Sequence, residues 1–167
     1  MREKIVMEIV YRPIGYIHSP FTDLRDMPIQ PGGRAAAPGK ADILPEFVDG
    51  LKDLEGFSHV ILVYFFHQSL RVDLHVTPFL DSEERGIFAT RAPTRPNPIG
   101  ISVVELKRIE GPRLYFGTID ILDGTPLLDI KPYVPEFDHP KESLIGWLEE
   151  TGNRMQATES DNRFAQT

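Results

Sequence analysis

Three prolines in six residues, Pro93, Pro96 and Pro98, fix the character of the stretch Gly86–Gly100, which reads GIFATRAPTRPNPIG. Each proline locks its own φ, removes a backbone donor and pushes the preceding residue out of the helical region. The stretch is therefore a stiff, extended loop between two apolar runs, and neither helix nor disorder fits it. It carries Arg91, Arg95 and Asn97 on a backbone with few alternative shapes. Planar, multi-donor side chains on such a loop suit recognition, because little entropy is lost when they bind. The plainer reading is a surface connection with two solvated arginines.

Around this loop the apolar runs are short and β-rich. Ile14–His18, Ala41–Leu44, Ser58–His67, Val72–Pro78, Ile101–Ile109, Leu114–Leu122 and Leu127–Lys131 read as strands, with Ile5–Tyr11 as an edge strand or extension. Ser58–His67 is apolar on both faces, the pattern of a strand buried on both sides. Glu110-Gly111-Pro112 reads as a hairpin connection, and Asp123-Gly124-Thr125-Pro126 as a strong turn. About seven or eight short strands with few helical windows favour an all-β barrel or sandwich over an α/β fold. Pro45–Leu51 predicts a short helix begun by its proline. Ser143–Glu150 predicts the one full helix, with Leu144, Trp147 and Leu148 on one side. Phe21–Lys40 reads as a long loop, of the kind that is often functional.

A chain of 167 residues with 41% hydrophobic content is most simply one globular domain. The expected division is an extension over 1–12, the barrel domain over 13–150 and a polar tail over 151–167. No apolar run is long enough to span a bilayer, no signal-peptide pattern is present, and there are no cysteines, so a cytoplasmic location is expected. The net charge of −7 argues against indiscriminate nucleic-acid binding. From Glu136 onward, seven acidic residues face three basic ones, which leaves room for a local positive patch elsewhere.

The familiar catalytic patterns are missing. No pair among the five histidines has ligand spacing, and His59 and His67 lie too far apart along one strand to share an ion, so no metal site is expected. His59 reads as a core or capping residue, and His67, beside Gln68, as the better site candidate. Ser58 and His59 are adjacent in a strand and should point to opposite faces. There is no G-x-S-x-G and no phosphate-binding glycine loop. Asp120, Asp123 and Asp129 invite a paired-carboxylate reading, but Asp123 fits its turn locally. Asp129, in an apolar strand, needs a partner such as Lys131 or an arginine. An enzyme of this composition would work by aligning two reactants, one of them already activated.

Four ordered motifs carry a resemblance: PIGYIHSP at Pro13–Pro20, GFSHVILVYFFHQ at Gly56–Gln68, ATRAPTRPNPIG at Ala89–Gly100, and DILDGTPLLDIKPY at Asp120–Tyr133. Together they are similar to the TsaA/TrmO-like family. The resemblance implies a single β-barrel that uses S-adenosylmethionine to methylate N6 of threonylcarbamoyladenosine beside the anticodon of tRNA. It also implies a homodimer with the cofactor pocket near the subunit interface. Cofactor contacts are implied at Pro28, Ile29 and Gln30, at His67 and Gln68, at Arg91, near Ile101, and at Leu122, Asp123, Gly124 and Thr125. Catalytic roles would fall to Arg91, Arg95 or Asn97, with the division between the arginines open. Two other functions stay open: an S-adenosylmethionine-binding module without chemistry, and a methyltransferase with a small-molecule acceptor.

Overall fold

The computed structural model describes residues 8–23, 37–79 and 81–149. Six antiparallel strands close a barrel in the order β1-β2-β7-β6-β3-β8. They are β1 (Gly15–His18), β2 (Ala37–Ile43), β3 (His59–Phe65), β6 (Ile99–Glu110), β7 (Arg113–Ile119) and β8 (Thr125–Pro132). Two short strands, β4 (His75–Val76) and β5 (Arg85–Gly86), pair only with each other. The expected strand at Val72–Pro78 therefore stays outside the barrel, which has six strands rather than seven or eight.

Closure rests on β1 meeting β8, with Gly15 opposite Leu127 and Ile17 opposite Thr125. A closed barrel has one inner face, so alternation decides burial along every strand. In β6, Gly100, Ser102, Val104 and Leu106 point inward while Ile99, Ile101, Val103 and Glu105 are exposed. The inner residues join Ile17, Ala41, Val60, Leu62, Tyr64, Leu114, Phe116, Ile119 and Leu127 in one core.

The same geometry corrects the reading of β3. Val60, Leu62 and Tyr64 are buried, but Ile61, Val63 and Phe65 are only half-buried on the outer face. They lie opposite Val103, Ile101 and Ile99, giving an apolar stripe on the outside of the barrel. Gly100 is required where it stands, because a Cβ there would overlap the Tyr64 ring.

The helical expectations are reduced. Pro45–Leu51 is a 3-10 segment. Residues 143–145 have no regular structure and 146–149 form a single 3-10 turn. Gly146 has φ +59, and Trp147 Nε1 donates to the Ala89 carbonyl at 2.9 Å. A left-handed glycine and a tertiary bond together outweigh a short amphipathic pattern. A four-residue helix, α1 (Pro135–Asp138), caps the chain after β8.

The long loop is shorter at its far end than expected, since Ala37–Lys40 already belong to β2, with a register shift at Pro38/Gly39. Residues 8–11 form no strand. The rest of Ile5–Tyr11 lies outside the described residues, as do Pro28, Ile29, Gln30 and 151–167.

Candidate functional site at one end of the barrel

Antiparallel order places the end of one strand beside the start of the next. The C-terminal ends of β1, β3 and β7 therefore share one rim with the N-terminal ends of β2, β6 and β8. That rim collects Ser19–Asp23, His67 and Gln68, the Pro-rich loop, and Asp120–Thr125. The sequence-expected site residues among the described part are thus brought to one end, with Ile101 the exception. Its side chain lies two residues into β6 and is 53% exposed on the outer stripe.

The Pro-rich loop is held by backbone bonds at both edges. Phe66 N–H donates to the Pro98 carbonyl at 2.8 Å, and Asp73 N–H to the Thr94 carbonyl at 3.0 Å. Two tight i to i+2 bonds, Arg95 N–H to Pro93 and Ile99 N–H to Asn97, both at 2.8 Å, stiffen it further. The two arginines divide on this frame. Arg95 Nη1 faces the carbonyls of Thr90 (2.9 Å), Ile87 (3.2 Å) and Ala92 (3.4 Å), with its guanidinium 5.8 Å from the Phe88 ring centroid. It ties the loop together. Arg91 is exposed and makes no hydrogen bond or ion pair among the described residues, as does Asn97 with its side chain. Arg91 is the arginine available to a ligand.

Beneath this rim lies a polar chain that motif spacing did not reveal. Ser102 Oγ donates to Asp120 Oδ1 at 2.8 Å. That uses the Ser102 proton, so Tyr64, whose oxygen is 3.1 Å from Ser102 Oγ, donates to it in turn. Both donors point toward Asp120. Burial pushes the Asp120 carboxyl up to about 6, against the opposing pull of Ser102 and of the positive Arg91. Burial, with the charge of Asp120, also raises Tyr64 far above the ordinary phenol range. The available signal was a carboxylate inside the apolar run Leu114–Leu122. The serine two residues beyond Gly100 carried no such signal.

The Asp123-Gly124 turn is braced from the opposite side. Asp123 N–H donates to the Phe21 carbonyl at 2.7 Å and Gly124 N–H to Ile17 at 2.9 Å. Gly124 has φ +75, the left-handed conformation the turn needs. The turn's N–H groups are therefore engaged internally. The carbonyls of Asp123 and Gly124 accept no backbone hydrogen bond outside the strands among the described residues, and they are what the turn offers a ligand. The Asp123 carboxylate accepts from Ser19 N–H at 3.1 Å and lies 3.3 Å from His18 Nδ1. His18 in turn has Nε2 at 3.4 Å from Asp42.

Thr125 and Leu122 are buried, and the Thr125 hydroxyl donates to the Leu122 carbonyl at 2.7 Å. With its proton committed there, Thr125 Oγ1 must accept from His67 Nδ1, 3.4 Å away. Burial lowers the His67 pKa and favours the neutral ring. His67 then presents Nε2 as an acceptor.

Other expectations resolve away from the site. His59 is exposed, edge-on to Tyr133 at 6.3 Å, rather than in the core. Ser58 precedes β3, so the face rule does not separate it from His59, and Oγ and Nδ1 are 3.0 Å apart. Asp129 pairs with Lys131 at 2.8 Å on the outer surface. Among the described residues, no group of three His, Cys, Asp or Glu side chains is arranged to hold a metal ion.

The family model described as "tRNA-methyltransferase O N-terminal domain" matches residues 16–139, the whole barrel and its rim loops. The chain belongs to the tRNA-methyltransferase O family. Within it, a probable S-adenosyl-L-methionine-binding protein of Pyrococcus abyssi is 53% identical over 93% of this chain and 85% of its own length. The human tRNA (adenine(37)-N6)-methyltransferase is 36% identical over 81% of this chain, which spans 32% of that protein. The crystal structure of TrmO from Pseudomonas aeruginosa superposes with TM-score 0.70 at 43% identity, covering 84% of this chain and 63% of that one. The chain thus spans about a third of the mammalian family members and under two thirds of the solved TrmO chain.

Proposed function

We propose that this chain is an S-adenosylmethionine-dependent methyltransferase that modifies N6 of threonylcarbamoyladenosine next to the anticodon of tRNA. The observation that carries it is the single rim on which the described site motifs of the family converge, with an exposed arginine that acts electrostatically on a half-buried carboxylate. The donor set suits S-adenosylmethionine. Arg91 can meet the methionine carboxylate, and the carbonyls of Asp123 and Gly124 with His67 Nε2 can accept from the adenine amino group or ribose hydroxyls. Pro28, Ile29, Gln30 and Gln68 would complete the contacts. The cofactor supplies an electrophilic methyl group on a sulfonium, and the rim residues supply alignment and exclusion of water. Arg95 holds the loop shape on which Arg91 and Asn97 are presented to the acceptor.

The apolar stripe of Ile61, Val63, Phe65, Ile99, Ile101 and Val103 supports a homodimer built on this face, which would bring Ile101 beside the partner's rim. No helix among the described residues is long and apolar enough to cross a membrane, and action on tRNA accords with a cytoplasmic location.

Several relatives are named only as S-adenosyl-L-methionine-binding proteins, which favours a second reading as a binding module. One assay separates the readings. Methyl-labelled S-adenosylmethionine is supplied with two tRNA pools, with and without threonylcarbamoyladenosine. Label in the first pool alone is the expected result. Label in both removes the proposed acceptor, and cofactor binding with no label in either turns the reading to the binding module.

A further inference from the structure

Methyl transfer to a nitrogen that bears a hydrogen leaves one proton in excess. The nitrogen pair forms the new C–N bond, the C–S pair stays on sulfur as a neutral thioether, and the N–H proton must go to a base. Resting on the methyltransferase reading, we propose that Asp120 is that base, oriented by the Tyr64–Ser102 hydroxyl chain.

The geometry is specific to one carboxylate. Asp120 follows β7 directly at the site rim, between the barrel core and the Asp123 turn. Its Oδ1 is held by Ser102 from β6, which is itself held by Tyr64 from β3. The charged group that acts on it is Arg91, from the Pro-rich loop. Asp123, the neighbouring carboxylate of the turn, is otherwise occupied, bound to Ser19 N–H and His18. Half-buried, Asp120 is a stronger base than a fully exposed carboxylate, because desolvation raises its pKa to about 6, yet it is still ionised near neutrality. Taking up the proton converts its charge to a neutral acid. That removes the counter-charge of Arg91, and the proton then returns to solvent.

The test is a pH–rate profile of methyl transfer for the native chain, Asp120→Asn and Ser102→Ala, with S-adenosylmethionine binding measured by calorimetry and the Asp120 carboxyl carbon titrated by NMR. In the native chain, log kcat is expected to rise with pH up to an inflection near 6. Asp120→Asn should lower kcat ~100-fold or more while cofactor affinity changes less than about twofold. Ser102→Ala removes a donor to the carboxylate, so the inflection and the NMR titration should both move to higher pH. Asp120→Asn with kcat within about threefold of native, in a folded protein on an accepted tRNA, overturns the proposal and leaves the methyltransferase reading intact. An Asp120 carboxyl that titrates at the ordinary value of 3.8 overturns it whichever acceptor is used. A native chain that transfers no label withdraws the methyltransferase reading, and the proton step with it.

Discussion

The two ends of the barrel handle charge in opposite ways. At the end away from the site, the Gly111 hairpin joins β6 to β7 and the 3-10 segment Pro45–Leu51 leads toward β3. There the charges are paired in the open. Arg113 bonds Asp42, Arg108 bonds Glu110 at 2.7 Å, and the Arg108 guanidinium lies 3.6 Å from the centre of the Tyr115 ring. Exposed pairs of this kind hold little free energy and ask nothing of a ligand. At the site end, Asp120 is half-buried and Arg91 is exposed, and neither has a direct ion partner among the described residues. Thr94 Oγ1, nearly inaccessible, has no hydrogen-bond partner among the described residues. The far end pairs its charges on the surface, whereas the site end keeps Arg91 and Asp120 out of any direct ion pair among the described residues, the kind of contrast that goes with a functional site.

The largest effect that would sharpen this contrast is the Asp120→Asn pairing of lost turnover with gained stability. A carboxyl raised in the folded state favours folding below its unfolded value of 3.8, and that contribution is lost as pH rises through about 6. Asparagine can still accept from Ser102 and carries no buried charge. Its stability relative to native should therefore climb between pH 4 and pH 7, toward a gain of about 2–3 kcal/mol. A variant less stable than native at pH 7.5 would break the account of Asp120.

Next in size is the split between the arginines. Arg91→Ala should lower kcat/KM ~10- to 100-fold with an unchanged melt, because the side chain makes no bond within the described structure. Arg95→Ala removes three carbonyl contacts, so it should lower the melting midpoint, with a stability loss of about 1–2 kcal/mol, and its activity should fall in proportion to loop order. Equal melts for the two variants would contradict the division.

Ile101→Glu places a charge on the outer stripe. Sedimentation should show a shift from dimer to monomer with the barrel's circular dichroism intact, and a monomeric native chain would remove the stripe's role. The smallest expected effect lies at the opposite end. Gly111 has φ +57 and nothing within 4 Å of an added Cβ, so Gly111→Ala should cost about 1 kcal/mol from backbone strain alone. Methyl transfer should be unaffected; a lost reaction there would show that the two ends are coupled.

Residue alternation in Ile101–Ile109, the Asp123-Gly124 turn and the triple-proline loop determined the strand-rich class, the hairpin after Glu110 and the stiffness of the site loop, because each is a local property of the backbone. The motifs likewise marked the segments that meet at one rim. Sequence alone left β3 apolar on both faces, Ser143–Glu150 helical and the arginines undivided. Closure of β1 on β8 decided the first, since a barrel has only one interior. A left-handed Gly146 and the Trp147 bond to Ala89 decided the second. The division of Arg91 from Arg95, and the Tyr64–Ser102–Asp120 hydroxyl chain, depend on contacts between segments far apart in the chain. Local pattern holds no information on which carbonyls one guanidinium will reach, or on which carboxylate the closed barrel will remove from water.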